Sequence, residues 1–291
     1  MHSPVPRTRT FALPAFLPAA FALCWASSYI AAKVGLRDIT PLAFVAIRMV
    51  FAVVAAFAML AMRRTDWRAI AAKWPHLLVG GALAHGLALT STHVALVTVG
   101  ATPVALVHAF NPVLTAALGV VLLRETFRWW QWLGAALGFA GVLIGVPHTA
   151  SEGAIVLLAL SLVGLSGGTL YLKAFCRGVP PFEATAIQLV GGGLLSWAAL
   201  AIFETPHAHW TVGLVEAMAW NTIVMSILGM AIYNVVLIRY GAGRAASAFF
   251  IVPGAAAVMA WLILGEHLSV LTLIGLALGT CGVALVWWRQ K

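Results

Sequence analysis

His85, His93 and His108 stand inside long apolar runs, where an ionisable or hydrogen-bonding side chain needs a partner or a task. Asn111 follows His108 by three residues, so both fall on one helical face. Pro112 comes next; a proline inside a helix removes one N–H and frees a carbonyl that must find another partner. Phe249 and Phe250 precede Pro253 in the same way, and Trp25, Tyr29 and Tyr233 add aromatic rings with polar tips. Together His108, Asn111, Phe249, Phe250, His85, Trp25, Tyr29 and Tyr233 form the expected ligand-binding set. They supply neutral hydrogen bonds and aromatic surface with little charge, which suits a neutral or zwitterionic small molecule. Ser28, the Ser166–Thr169 run and Asn234 are minor candidates, the Ser-Gly-Gly-Thr run because small residues leave room for a cavity.

The charged residues are read differently. Arg48 lies about seven residues into an apolar run, roughly 10 Å from its end at 1.5 Å per residue. It is either a gate or anion contact, or a structural clamp on backbone carbonyls; the second is favoured because its repeat mate is neutral Gln188. Lys33 and Lys173 end their runs, where a cation suits a helix C-terminus and can snorkel to the interface; they are also candidate gates. Glu125 and Glu266 are expected to start the helix that follows each of them, with Thr126 and Ser269 as neighbouring caps. None of the eight carboxylates, Asp38, Asp66, Glu125, Glu152, Glu183, Glu204, Glu216 and Glu266, falls at the centre of an apolar run. Coupling to protons or sodium usually employs such a group, so downhill movement of a solute is the first expectation, with histidine-mediated proton exchange as the other. Cys24, Cys176 and Cys281 lack ligand spacing, and no metal or cofactor is expected.

The elements that position these residues are membrane spans. The 291 residues are 63% hydrophobic and 9% charged, against about 25% charged in a soluble domain. A net charge of +9 does not indicate nucleic acid, because the basic residues are dispersed between apolar runs. Ten spans are predicted, at 14–34, 42–62, 76–98, 102–123, 129–146, 153–174, 182–203, 215–238, 243–264 and 269–288. Residues 1–13 form a tail, 14–146 a first five-span repeat and 147–291 a second with a short tail. With a cytoplasmic N-terminus, fourteen of the seventeen Lys and Arg residues fall inside and only Lys33 and Arg37 outside, with Arg48 within a span. Both termini are therefore expected in the cytoplasm.

The halves are copies. At an offset of 141, Gly100, Ala101, Pro112, Glu125, Gly134, Gly138 and Gly141 fall on Gly241, Ala242, Pro253, Glu266, Gly275, Gly279 and Gly282. His93 falls on Asn234. At 140, Lys33, Pro41 and Arg48 fall on Lys173, Pro181 and Gln188. Five spans is an odd number, so the second copy enters from the opposite side: an all-α membrane protein of ten transmembrane helices in two inverted five-helix repeats. The glycines of spans 5 and 10 let backbones approach closely, for packing or for a dimer face; monomer and homodimer both remain open.

An apolar fourth span with an internal proline, ending in Glu and followed by a Gly-x-x-x-Gly-x-x-Gly helix, written twice, resembles the drug/metabolite transporter superfamily in its EamA-type branch. The layout is also similar to bacterial aromatic amino acid exporters. The resemblance implies a multi-pass protein of the bacterial inner membrane, exporting metabolites by alternating access through a cavity lined mainly by helices 1, 3, 4, 6, 8 and 9. A non-enzymatic exporter of amino acids with aromatic or large apolar side chains is the expectation. The rivals are a lipophilic-cation or multidrug exporter, a nucleobase or nucleoside exporter, an intramembrane enzyme and a non-transporting receptor. An enzyme would need an activated nucleophile or a metal cluster, and His85 and His93 have no acidic neighbour in sequence.

Overall fold

A computed structural model describes residues 16–62, 67–124, 126–236 and 248–287. Glu125, Gly241, Ala242 and the basic residues Arg7, Arg9, Arg63, Arg64, Arg239, Arg244, Arg289 and Lys291 lie outside the described residues.

Proline or glycine punctuates most of the helices, and the apolar runs between form α1 (Leu17–Gly35) and α2 (Pro41–Ala61). A short turn of helix at Trp67–Ala71 leads into α3 (Trp74–Val99), then α4 (Ala101–Leu123) and α5 (Trp129–Gly145). The second half repeats the plan as α6 (Glu152–Phe175), α7 (Pro181–Phe203), α8 (Val212–Val236), α9 (Val252–Leu264) and α10 (Val270–Trp287). Seven of these are long and apolar enough to cross a membrane, and α5, α9 and α10 are shorter apolar helices. Large apolar side chains such as Val54, Leu143, Leu194, Phe203 and Leu262 face outward, as lipid requires.

Three helices contain π-helical stretches that no feature of the sequence announced: Ala82–Leu87 in α3, Trp220–Gly229 in α8 and Ala260–Leu264 in α9. A wide turn of this kind re-aims side chains and is frequent at functional sites. α4 is broken just ahead of its internal proline. Phe110 sits in a turn between Ala101–Ala109 and Asn111–Leu123, with Pro112 in the first turn of the second piece, where its missing N–H costs nothing.

The glycine helices α5 and α10 pack on each other through the residues the repeat pairs. A Cβ on Gly141 would stand 2.6 Å from the Gly279 nitrogen, and one on Gly275 would stand 2.6 Å from the Gly141 carbonyl oxygen. These faces are consumed inside the molecule, so the dimer-face reading gains nothing from them.

The two halves are stitched together where α1 ends and α2 and α4 begin, called here the Lys33 face. Glu204, at the end of α7, accepts the Leu42 and Ala43 N–H groups at 3.0 and 2.9 Å, occupying free donors of α2. Ile39 and Ala208 form an isolated antiparallel bridge, flanked by the Thr40 N–H to His207 carbonyl bond at 3.0 Å. Glu266 does not cap the helix that follows it. Its carboxylate reaches the opposite half and accepts the Ala101 N–H at 2.9 Å and the Thr102 N–H at 3.5 Å. Gly100 makes this approach possible: its φ is 86° and a Cβ there would stand 3.0 Å from the Glu266 Oε1. Ser269 does cap α10, accepting the Thr272 N–H at 3.0 Å. Thr126 caps nothing; α5 opens instead on Gln131, whose Oε1 accepts the Arg128 N–H at 2.9 Å.

Candidate functional site

His108 is the centre of a buried hydrogen-bond chain that joins four helices. Tyr29 of α1 meets its Nδ1 at 2.8 Å, while Thr92 of α3 and Ser161 of α6 both meet its Nε2 at 3.1 Å. The protons can be assigned from the outer partners. The Thr92 hydroxyl donates to the Ala88 carbonyl at 2.6 Å and the Ser161 hydroxyl to the Leu158 carbonyl at 2.7 Å. Each hydroxyl has one proton, so toward His108 both can only accept, and Nε2 must carry the hydrogen. Nδ1 then accepts from Tyr29, whose oxygen takes the Trp25 indole N–H at 2.6 Å. The chain runs in one direction and leaves no ring nitrogen of His108 idle.

Asn111 points at the same helix as Ser161 but one turn further along. Its Oδ1 accepts Ser166 at 2.8 Å and Thr115 at 3.2 Å. The Ser166–Thr169 run leaves less room than expected, because Gly168 lies against the α3 backbone; a Cβ there would stand 2.7 Å from the Ala84 nitrogen.

The aromatic candidates divide. Phe249 stands 5.1 Å from Trp25 and 5.7 Å from Phe21, and Tyr233 stands 5.0 Å from Phe21. These four rings from α1, α8 and the segment before α9 form one apolar wall beside Tyr29 and His108. Phe250 leaves that wall and packs with Phe110, Val113 and Val283. His85, half-buried in the α3 π-stretch, faces the Gln188 side chain.

The cations are placed in ways the sequence did not reveal. Lys33 does not reach for the interface: its Nζ donates to the Leu96 and Val97 carbonyls at 2.5 and 3.0 Å, capping α3. A cleft of about 190 Å³ between Lys33, Leu36, Arg37, Val97, Leu264 and Glu266 opens beside it. Lys173 lies in the last turn of α6, at the opposite end of the helices from Lys33. Arg48 is 5% exposed, and the expected carbonyl clamp is absent: among the described residues its guanidinium makes no hydrogen bond, and Nε is sealed without a partner. His93 is 3% exposed, stacked on Phe44 with ring centroids 5.5 Å apart, and its Nε2 is likewise sealed and unpaired. Thr92, Ser161 and the buried Asn221 and Thr222 of α8 were not singled out by sequence, where a lone Ser or Thr in an apolar run reads as back-bonded filler. Among the described residues no group of His, Cys, Asp and Glu side chains could hold a metal ion.

The pattern of the EamA-like transporter family matches residues 13–146 and again 153–288. The chain is 27% identical over 293 residues to the uncharacterized transporter YvbV of Bacillus subtilis (strain 168), covering 99% of this chain and 94% of that one. It is 25% identical over 282 residues to YoaV of the same organism, covering 90% and 92%. A probable terminal-alkyne amino-acid exporter of Streptantibioticus cattleyicolor is 26% identical over 187 residues, 62% of each chain. A crystal structure at 18% identity superposes with a TM-score of 0.65 over 93% of this chain and 94% of the other, which speaks to the fold. Two family repeats, a helical bundle with a lipid-facing apolar surface, and a polar chain buried between its halves agree on one assignment: this protein belongs to the EamA-like transporter family, and it is a multi-pass membrane transporter rather than an enzyme.

Proposed function

We propose that the protein exports amino acids with aromatic or large apolar side chains by alternating access. The observation that carries this reading is the meeting of two surfaces contributed by both halves. One is the wall of Phe21, Trp25, Tyr233 and Phe249; the other is the polar layer around Tyr29 and His108. An amino acid has an apolar side chain for the first and a polar end for the unpaired side chains buried beside the second, Arg48 and His93. The amino-acid exporter from S. cattleyicolor, similar over part of the chain, supports the same class of solute. A lipophilic-cation exporter is less well supported, since all eight carboxylates lie away from the centres of the spans.

The protein acts in the plasma membrane of a bacterium with both termini in the cytoplasm, as the distribution of Lys and Arg indicates. On that orientation the Lys33 face is outside, and the arrangement is closed outward by Glu204, Glu266 and the Ile39–Ala208 bridge. Flux of labelled phenylalanine, leucine, uridine and a lipophilic cation into proteoliposomes tests the reading. Saturable transport of phenylalanine is the expected result. Saturable transport of the cation or of uridine with none of phenylalanine would overturn it.

A further inference from the structure

We propose that Arg48 and His93 form the acceptor for a solute's head group, taking a carboxylate at Arg48 and a neighbouring N–H donor at His93. The proposal deepens the amino-acid reading above and rests on it.

The argument starts from unpaired atoms. A buried polar atom without a partner is rare, and an unpaired buried cation is rarer. Here two such side chains stand at one depth. Arg48 is seven residues from the start of α2 and His93 six from the end of α3, each roughly 10 Å from the Lys33 face by helical rise. His93 stacks on Phe44, which lies one turn from Arg48 on the same face of α2, and Tyr29 and His85 also lie within range of Arg48. None of these neighbours is an acid. Asn221 Oδ1 and Thr222 Oγ1 of α8, which packs on α1 and α2, are also sealed and unpaired, one turn deeper at roughly 14 Å from the Lys33 face.

The chemistry of the two vacancies is complementary, and it names the ligand. His93 Nδ1 lies 2.8 Å from the Leu89 carbonyl oxygen. A carbonyl can only accept, so Nδ1 carries the hydrogen and Nε2 presents a lone pair that seeks a donor. Arg48 presents N–H donors and a full positive charge, and among the described residues none of its nitrogens makes a hydrogen bond. A guanidinium fork matches a carboxylate. An α-amino acid carries that carboxylate and an ammonium donor one carbon away. A cation, even one that offers an N–H to His93, is repelled by Arg48 and leaves it unpaired, and a neutral nucleobase leaves the charge uncompensated.

The repeat supplies a second argument. The mates of Arg48 and His93 are Gln188 and Asn234, so the same fold is built in the other half with neutral amides. A cation at this place is therefore not a requirement of packing. Tyr29, His108, Thr92 and Ser161 are already committed to each other and hold the neighbouring helices in register; Arg48 and His93 keep their capacity for the solute.

The test uses the purified full chain, with L-phenylalanine, phenylalaninamide and 3-phenylpropanoate as competitors in proteoliposome flux and thermal unfolding as a second readout. The amide lacks the carboxylate and the propanoate lacks the amino donor. Each should compete with L-phenylalanine at least about tenfold more weakly, as expected when one partner of a buried charged contact is removed. Arg48→Gln should cut phenylalanine flux by at least about tenfold and abolish the preference for acid over amide, while the unfolding midpoint of the ligand-free protein stays level or rises. His93→Asn should abolish the preference for phenylalanine over 3-phenylpropanoate. A fall in the ligand-free midpoint of Arg48→Gln by several degrees would show that the cation is structural and overturn the proposal. Equal competition by the amide in the wild type would overturn it as well. The two readings fail separately. A wild type indifferent to phenylalanine that moves another carboxylate in an Arg48-dependent manner sinks the amino-acid reading and leaves the carboxylate position standing. A wild type that moves phenylalanine no better than Arg48→Gln does sinks this proposal and leaves the amino-acid reading.

Discussion

At Tyr29 one phenolic oxygen serves two rings, accepting from Trp25 and donating to His108. Tyr29→Phe removes both contacts at once and leaves the Trp25 N–H and the His108 Nδ1 without partners. Each unpaired group costs about 1–3 kcal/mol, so the unfolding midpoint in detergent should fall by several degrees. His108→Leu should also destabilise, since it orphans the Tyr29 hydroxyl. An unchanged midpoint in both variants would show that the chain contributes nothing to stability. Arg48→Gln has the opposite expected sign, which makes the pair of measurements a sharp separation of scaffold from site. The sequence exposed His108, Asn111, Trp25 and Tyr29 as candidates because polar and aromatic groups stand out in apolar runs. It could not reveal which were already satisfied. That depends on Thr92 and Ser161, two hydroxyls that differ from ordinary back-bonded ones only in what faces them. Nor could it show that Arg48 lacks the clamp its position invited.

Most helices were legible to within about three residues, because Pro41, Gly100, Pro147 and Pro181 break apolar runs whose lengths match a bilayer; the exception is α9, expected from residue 243 but starting at Val252 after a 3-10 turn at Ala248–Phe250. The contacts between helices were not. Glu266 lies 165 residues from its partner Ala101, and nothing local distinguishes it from a cap of the next helix. The π-stretches are equally silent in sequence. The glycine helices are an intermediate case: spacing announced a close face, and the structure assigns it to the α5–α10 pair. Gly141→Ala would set a Cβ 2.6 Å from the Gly279 nitrogen, a backbone atom that cannot swing aside. Overpacking of this kind costs about 1–3 kcal/mol, and the yield of folded protein should drop. Gly153→Ala is the control, since a Cβ there meets nothing within 4 Å. Equal yields from the two variants would argue against tight packing of α5 on α10.

At the scale of the whole molecule, the inverted halves predict a rocking motion, with each face closing in turn. Solute should run down its own gradient without a proton gradient, because no span holds a central carboxylate to couple the two. Flux of phenylalanine that disappears on adding an uncoupler, with the solute gradient intact, would refute this. The final prediction joins closure to orientation. On the Lys33 face the Glu266 carboxylate occupies free donors at the start of α4, an interaction worth about 0.3–2 kcal/mol from helix polarity. Glu266→Ala frees the Ala101 and Thr102 N–H groups and should loosen the seal between α4 and α9. Ala105, one turn below, is fully buried. A cysteine placed at Ala105 should react slowly with a membrane-impermeant maleimide added outside intact cells, and several-fold faster when Glu266→Ala is combined with it. Equal rates in the two backgrounds would mean that Glu266 does not hold this face shut. Labelling that occurs only when the reagent is admitted to the cytoplasm would place the Lys33 face inside and reverse the orientation drawn from the basic residues.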